Sequence, residues 1–370
     1  MRSLEHVVIW ERDVTGRQVN LELHDNATVG VSAREGRHRA YISQGGAWEE
    51  GDGVYLVPKQ SGYEAVVVED GGDRLVDVTY IPEDVDLYER NVGVLDTDDL
   101  RKSHVLIIGL GSGGSAILRE LIRCGVGRFT LVDHDRMMPG NVSRHELGLK
   151  DVGRFKVRAL RDYVLERNPF ARIDAIPEAV TGDNLVDLYA YFRNDMPEVV
   201  VCGTDSRQSR LLVNRLAVQL GTYTLFGGVR RGAFAGDVLQ VVPGVTPCYQ
   251  CFVRTLPLSV ESNVSALSGG APSYWDGSEM PEPGLSIDIG PVALLMAKLA
   301  LTELLRGRTR RFDMLSEDLV APAFFWLSRR EPGTNYEYWP PLRDSAGEGP
   351  RILQWLGRWF EKDEQCSVCA

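Results

Sequence analysis

Residues 104–114 read HVLIIGLGSGG, and this stretch decides the fold. Val105 to Ile108 form a short continuous apolar run, the pattern of a strand buried on both faces. Gly109, Gly111 and Gly114 then fit G-x-G-x-x-G, with Gly113 a further glycine in the same loop. Ser115 to Cys124 read as the helix that follows. A strand ending at glycines lets backbone approach a phosphate, and the helix behind it presents unpaired N–H groups and a positive dipole end. Alone, the pattern says only that a nucleotide binds, because many doubly wound folds carry it.

The next strand sharpens the reading. Phe129 to Val132 ends in Asp133 and Asp135, with Asn141 and Arg144 on the loop beyond. A dinucleotide site needs one acidic residue here, for a ribose. A second Asp, an Asn and an Arg suit a site that holds ATP and a metal while handling a transferred acyl group. Lys156 opens a further helical run, VRALRDYVLERN, where a lysine opposes the helix dipole. A cation placed there makes sense if it faces an anion, so it reads as a phosphate contact; a solvent-exposed lysine is the plainer alternative.

Cysteines give the second signal. Cys248 and Cys251 form one C-x-x-C, and Cys366 and Cys369 another. Two such pairs make a tetrahedral four-cysteine zinc site if the fold brings them together; a redox disulfide or unrelated thiols would be the alternative. Cys124 and Cys202 sit inside apolar runs and read as small buried hydrophobes.

The chain has 370 residues, 44% of them hydrophobic, and a net charge of −11. That composition is globular, and the charge argues against nucleic acid or an anionic membrane surface as main partner. No apolar run is long enough to span a bilayer, and the N-terminus lacks the pattern of a signal peptide. Thiols at metal spacing point to a reducing cytoplasm. Residues 1–84 carry alternating, Val- and Tyr-rich segments punctuated by turns, which predicts a small antiparallel β domain with hairpins. It would serve as a recognition element, a cap or a dimerisation element. Residues 85–370 alternate strands and helices, predicting an α/β unit with a Rossmann-like, mostly parallel sheet. Strands are expected at 104–108, 129–132, 172–176, 198–202, 222–225 and 237–242. A long loop at about 252–290 leads into the helix GPVALLMAKLALTELLRG, and one or two strands are expected in 312–345.

These motifs carry a family resemblance. The order Arg90 in DLYERN, GLGSGG, DHDRMMPGNVSRHE, Lys156 in DVGRFK, Asp205 in VVVCGTDS, Asn214 in LLVNRLA and the paired cysteines resembles the ThiF/MoeB/HesA superfamily, the adenylating fold shared with ubiquitin-activating enzymes. The resemblance implies an adenylation domain with a crossover loop at about 252–290 and a zinc-binding tail. Its implied activity is ATP- and magnesium-dependent adenylation of the C-terminal carboxylate of a small β-grasp protein, ubiquitin-like or sulfur-carrying, by a homodimer.

Residue by residue, the resemblance implies that Asp133 takes the ribose hydroxyls, that Asp135 and Asn141 contact the nucleotide, and that Arg144 contacts phosphate. Asp205 would bind magnesium, although an Asp at this point also suits a helix N-cap. Asn214 would lie near the nucleotide. Arg90 would reach the phosphates of the partner subunit. His145 stands where the family usually has Gln, which leaves its role open. From Phe252 to Leu301 there is no cysteine, so the acyl-adenylate, rather than a thioester, would be handed on. Other readings are a microcin-type peptide-adenylating enzyme, the activating component of a bacterial ubiquitin-like conjugation operon, and a non-catalytic nucleotide-binding module. An NAD(P)-dependent oxidoreductase is disfavoured by the paired cysteines.

Overall fold

In a computed structural model the chain divides into two compact units, residues 1–87 and 88–370. The structure describes residues 4–10, 13–14, 18–23, 28–32, 38–42, 53–69, 72–82, 85–95, 97–255, 283–334, 336–338 and 351–370. Most of the expected crossover loop, 256–282, lies outside the described residues.

The first unit contains β1 (His6–Trp10), β2 (Gln18–Leu23), β3 (Thr28–Ser32), β4 (His38–Ile42), β5 (Gly53–Lys59), β6 (Gly62–Glu69) and β7 (Gly72–Ile81). They close into a barrel in the order β1-β3-β2-β4-β5-β6-β7, with β7 returning to β1. Alternate residues such as Val7 and Ile9, Val29 and Val31, Val54 and Leu56, and Ala65 and Val67 fill its core. The expectation of an antiparallel domain is corrected: β1–β3, β1–β7 and β4–β5 run parallel. Seven strands cannot alternate direction all the way round a closed barrel, so at least one pair must be parallel.

The second unit runs α1 (Thr97–Leu100), β8 (His104–Ile108), α2 (Ser112–Arg123), β9 (Arg128–Val132), α3 (Lys156–Arg167), β10 (Arg172–Ile176), α4 (Leu185–Asn194), β11 (Val199–Cys202), α5 (Arg207–Leu220), β12 (Tyr223–Val229), β13 (Ala235–Val241), α6 (Tyr249–Thr255), α7 (Ser286–Leu304), α8 (Arg310–Asp318), β14 (Ala323–Leu327) and β15 (Trp355–Arg358). Its eight-stranded sheet has the order β10-β9-β8-β11-β12-β13-β14-β15. The first five strands are parallel and the last three pair antiparallel. One face packs against α2, α3 and α7, and the other against α4, α5 and α6. All five residues of β8 are buried, as its unbroken apolar run requires.

Two boundaries differ from expectation. α2 begins at Ser112 with Gly111 as N-cap, so Gly113 and Gly114 belong to its first turn. The stretch 312–345, expected as strand and irregular chain, begins inside a helix, α8. The Thr309 side chain caps it by accepting the Phe312 N–H, and Phe312, Leu315 and Leu319 pack inward at helical spacing. Among the described residues no helix is long and apolar enough to cross a membrane.

Candidate active site

The strand order reverses between β8 and β11, which lie side by side although α2, β9, α3, β10 and α4 separate them in sequence. Ligands of open α/β sheets bind at such a point, outside the carboxyl ends of the strands. Here the two loops leaving the strands touch. The Gly203 N–H donates to the Ile108 carbonyl at 2.8 Å. Gly109 has φ +87°, and a Cβ on it would lie 2.6 Å from the Thr204 nitrogen; one on Gly114 would lie 2.0 Å from the Gly109 oxygen. Those two glycines are required by packing. Gly111 and Gly113 differ: a Cβ on either would meet no atom within 4 Å. Both line a cleft of about 740 Å³.

Leu110, inside the glycine loop, is held at both ends. Its N–H donates to Asp133 Oδ2 at 2.6 Å, and its carbonyl accepts from His145 Nε2 at 2.8 Å. The Leu147 N–H donates to His145 Nδ1 at 3.0 Å, so the neutral ring carries its proton on Nε2. Burial pushes the His145 pKa below its usual value. A Gln side chain also offers one donor and one acceptor, which explains how His serves at a position where the superfamily usually has Gln. His145→Ala leaves both partners unsatisfied and should cost about 2 kcal/mol in denaturant unfolding, whereas His145→Gln should recover most of it. Because the folded ring resists protonation, the unfolded chain binds the extra proton as pH falls below about 6.5. Stability contributed at this site is therefore full above that pH. It declines below it by at most about 1.4 kcal/mol per pH unit until the lowered pKa is reached. His145→Gln should lack that acid limb.

Around the loop, the cleft collects Asp133, Asp135, Asn141, Arg144, Lys156 and Asp205. Asp133 accepts the Asp135 N–H on Oδ1 at 2.7 Å besides its bond to Leu110. A carboxylate has about four acceptor sites, so two remain for a ligand. Lys156 is the first residue of α3 and nearly buried, not exposed; its Nζ lies 2.7 Å from Asp135 Oδ2. Asn141 accepts the Met138 N–H, which folds the loop back toward the cleft. Arg144 approaches Gly284, where a Cβ would lie 3.5 Å from its Nη1, and Gly284 also lines the cleft. Asp205 is exposed, and among the described residues nothing hydrogen-bonds or ion-pairs with its carboxylate. The N-cap of α5 is Ser206, whose side chain accepts the Ser209 N–H at 3.1 Å, so the capping alternative for Asp205 is set aside.

Two residues lie elsewhere. Asn214 is fully buried and does not line the cleft; its Oδ1 accepts the Tyr249 N–H at 3.0 Å and so holds the start of α6. It lies on the inward stripe of α5. Arg90 is exposed on a short turn of 3-10 helix and does not line its own chain's cleft. One residue escaped the sequence reading. Arg210 is 2% exposed, donating from Nε to the Thr204 carbonyl at 2.8 Å and from Nη2 to the Gly227 carbonyl at 2.9 Å. It ties together the loops after β11 and along β12. Its signal was a charge on the buried stripe of α5, where Arg210, Val213, Asn214 and Ala217 follow helical spacing.

The four cysteines do come together. Sγ separations are 3.9 Å for Cys248–Cys251, 3.7 Å for Cys248–Cys366 and 3.5 Å for Cys251–Cys369, and all four sulfurs lie within 4.8 Å of one another. A tetrahedral ion with Zn–S bonds of about 2.3 Å requires sulfur separations near 3.8 Å. A disulfide would need about 2.05 Å. The residues therefore fit a closed zinc site, reinforced by the Arg254–Asp363 ion pair and a Gln250–Ser367 hydrogen bond of 3.1 Å. Burial pushes the thiols of Cys124 and Cys202 above their usual pKa, so neither is a ready thiolate nucleophile.

Residues 86–322 match the ThiF family. The chain belongs to the ThiF family. The sulfur carrier protein adenylyltransferase of Thermus thermophilus is 29% identical over 245 residues, which cover 63% of this chain and 88% of that protein. The ubiquitin-like modifier-activating enzyme 5 of Caenorhabditis briggsae is 27% identical over 177 residues, covering 46% of this chain and 40% of that protein. The chain thus spans less than half the length of that curated relative. Escherichia coli MccB with ATP superposes with a TM-score of 0.54 at 19% identity, over 78% of this chain and 75% of that one. At that identity the likeness speaks for the fold.

Proposed function

We propose that this ThiF-family chain is an ATP-dependent adenylyltransferase acting on the C-terminal carboxylate of a small ubiquitin-like or sulfur-carrier protein. One observation carries the reading: bare Gly111 and Gly113, the cations Arg144 and Lys156, and the unengaged Asp205 carboxylate all line one cleft at the switch point. In the reaction a carboxylate oxygen attacks the α-phosphorus, the bond to the β-phosphate oxygen breaks, and pyrophosphate leaves with that electron pair. No proton need move, so the protein's part is positioning and neutralisation of charge. The glycine-loop N–H groups and the α2 N-terminus bind phosphate oxygens. Arg144 offers its planar fork to the oxyanions. Lys156, released in part from Asp135, adds a second cation. Asp133 keeps Leu110 in place and orients the ribose.

Asp205 is the residue that would hold magnesium, whose charge offsets that of the departing pyrophosphate. The four cysteines would hold zinc. Arg90 lies outside its own chain's cleft, which supports the reading that it serves the phosphates of a partner subunit.

Pyrophosphate exchange into ATP, measured with β-grasp carriers ending in Gly-Gly, tests the proposal. Exchange that depends on carrier and magnesium is expected. Asp205→Asn should lower it by at least about 100-fold, roughly the 2.7 kcal/mol of one well-placed transition-state contact, with no change in melting temperature. Mixing Arg90→Ala chains with Asp205→Asn chains should restore part of the lost exchange. Full activity of the Asp205→Asn chain alone would refute the assigned site, and no restoration in mixtures would place Arg90's action within one subunit.

A further inference from the structure

Two neighbouring strands part company at the floor of the cleft. β11 and β12 pair in parallel from Val199 with Tyr223 to Cys202 with Phe226. Past Cys202 the chain turns toward β8, where the Gly203 N–H meets the Ile108 carbonyl. Carbonyls on the diverging chains are left outside the β11–β12 ladder and need other donors. Arg210 serves both sides. Its Nε donates to the Thr204 carbonyl at 2.8 Å and its Nη2 to the Gly227 carbonyl at 2.9 Å. Thr204 and Gly227 line the cleft, whereas Arg210 does not.

Arg210 is almost completely buried. A charge taken out of water is costly, and a neutral side chain would fill the same stripe of α5 at less cost. What the guanidinium adds is a rigid planar fork that holds two acceptors at once. The fold makes room for it at Gly228, where a Cβ would lie 2.7 Å from Nη2 and 2.9 Å from Nη1.

Thr204 is the decisive partner. Its carbonyl belongs to the peptide unit that ends at the Asp205 Cα, and that unit is planar. Fixing the oxygen therefore fixes the direction in which Asp205 leaves the backbone. The Asp205 side chain has no tether of its own: among the described residues nothing hydrogen-bonds or ion-pairs with its carboxylate. On the β12 side, the Gly227 carbonyl belongs to the unit leading to Gly228, which also lines the cleft.

We infer that Arg210 is a positioning residue, which aims the Asp205 carboxylate at the magnesium of MgATP by clamping the two peptide units where β11 and β12 separate. The inference rests on the adenylation reading, through the magnesium assigned to Asp205, and adds what sets that carboxylate's place. Arg210 acts only through the backbone.

Calorimetric titration of ATP into the full chain, with magnesium present and with magnesium omitted, measures the gain in affinity that the metal brings. Asp205→Asn should lose most of that gain and keep its affinity for metal-free ATP. Arg210→Lys keeps the charge but loses the fork, so it can hold one carbonyl only. It should lower the magnesium gain by roughly tenfold, the worth of one charge-assisted hydrogen bond, with metal-free affinity unchanged. In the double variant the two losses should not add, because both act on one carboxylate. Gly228→Ala, whose methyl presses on the guanidinium, should lower the gain too and carries the test if Arg210→Lys does not fold. A parental magnesium gain in the folded variants, additive losses, or equal losses with and without metal overturn the assignment. So does a parent chain that shows no magnesium gain. Carrier-dependent pyrophosphate exchange separates the two claims. The expected binding pattern without exchange supports the clamp and counts against adenylation; exchange with a parental magnesium gain in the variants does the reverse.

Discussion

Gly113→Ala should fold at least as well as the parent chain and lose its affinity for MgATP, while Gly114→Ala, one residue on, should fold poorly. A Cβ on Gly113 meets nothing within 4 Å and projects into the cleft. Gly113 lies in the first turn of α2, where alanine is the better helix former by up to about 1 kcal/mol. The melting temperature should hold or rise. The new methyl occupies the space through which the loop N–H groups meet a phosphate, so the Kd for MgATP should rise by roughly 100-fold, or about 2.7 kcal/mol. At Gly114 the same methyl would lie 2.0 Å from the Gly109 carbonyl oxygen. Helix and strand must separate to admit it, at a cost above about 4 kcal/mol, the range of strained core substitutions. Calorimetric titration of MgATP and thermal unfolding of both variants read the two effects separately. Parental MgATP affinity in Gly113→Ala would mean that the phosphates lie elsewhere.

That contrast also separates what was legible in the sequence from what was not. The apolar run at 105–108 and the glycines after it sufficed to place β8, the loop and α2, because burial on both faces leaves no other pattern available to a central parallel strand. Which glycines serve packing and which serve a ligand was not legible. The answer depends on Thr204, which the topology brings beside Gly109 across almost a hundred residues of chain. Asp133 and Lys156 were legible as candidates and do line the cleft, but their bonds to Leu110 and Asp135 belong to tertiary geometry. His145 was visible as a departure, and only its two backbone partners show what it does. That Asn214 lies off the cleft was not legible either, because a polar residue beside a motif reads the same whether it faces a ligand or the backbone. On α5 it shares the buried stripe with Arg210, and both satisfy backbone groups. The parallel pairs of the N-terminal barrel escaped because short alternating segments define a strand's faces and not its neighbour.

Removing Cys366 and Cys369 should release one zinc per chain and destabilise the fold far more than the loss of two thiols' packing alone would suggest. The two cysteine pairs are more than a hundred residues apart, and their sulfurs sit at separations that suit one tetrahedral ion. Cys248 and Cys251 flank Tyr249, which stacks on Phe226 at 4.8 Å and whose N–H is held by Asn214. The cluster thereby joins the tail to α6, and α6 to α5 and the sheet face. Metal affinity present only in the folded chain is folding free energy, so its loss belongs among the large mutational effects, above about 4 kcal/mol. In a unit of this size that corresponds to a fall in melting temperature of roughly 8–15 °C. Elemental analysis should give one zinc for the parent and none for Cys366→Ser/Cys369→Ser, and a strong chelator should lower the parent's melting temperature toward that of the variant. None of the four cysteines lines the cleft, so MgATP affinity of the remaining folded fraction should change little. A parent protein that holds no thiophilic metal, yet melts where predicted for the loaded form, would show that packing of Phe252, Phe325 and Phe360 holds the tail without an ion.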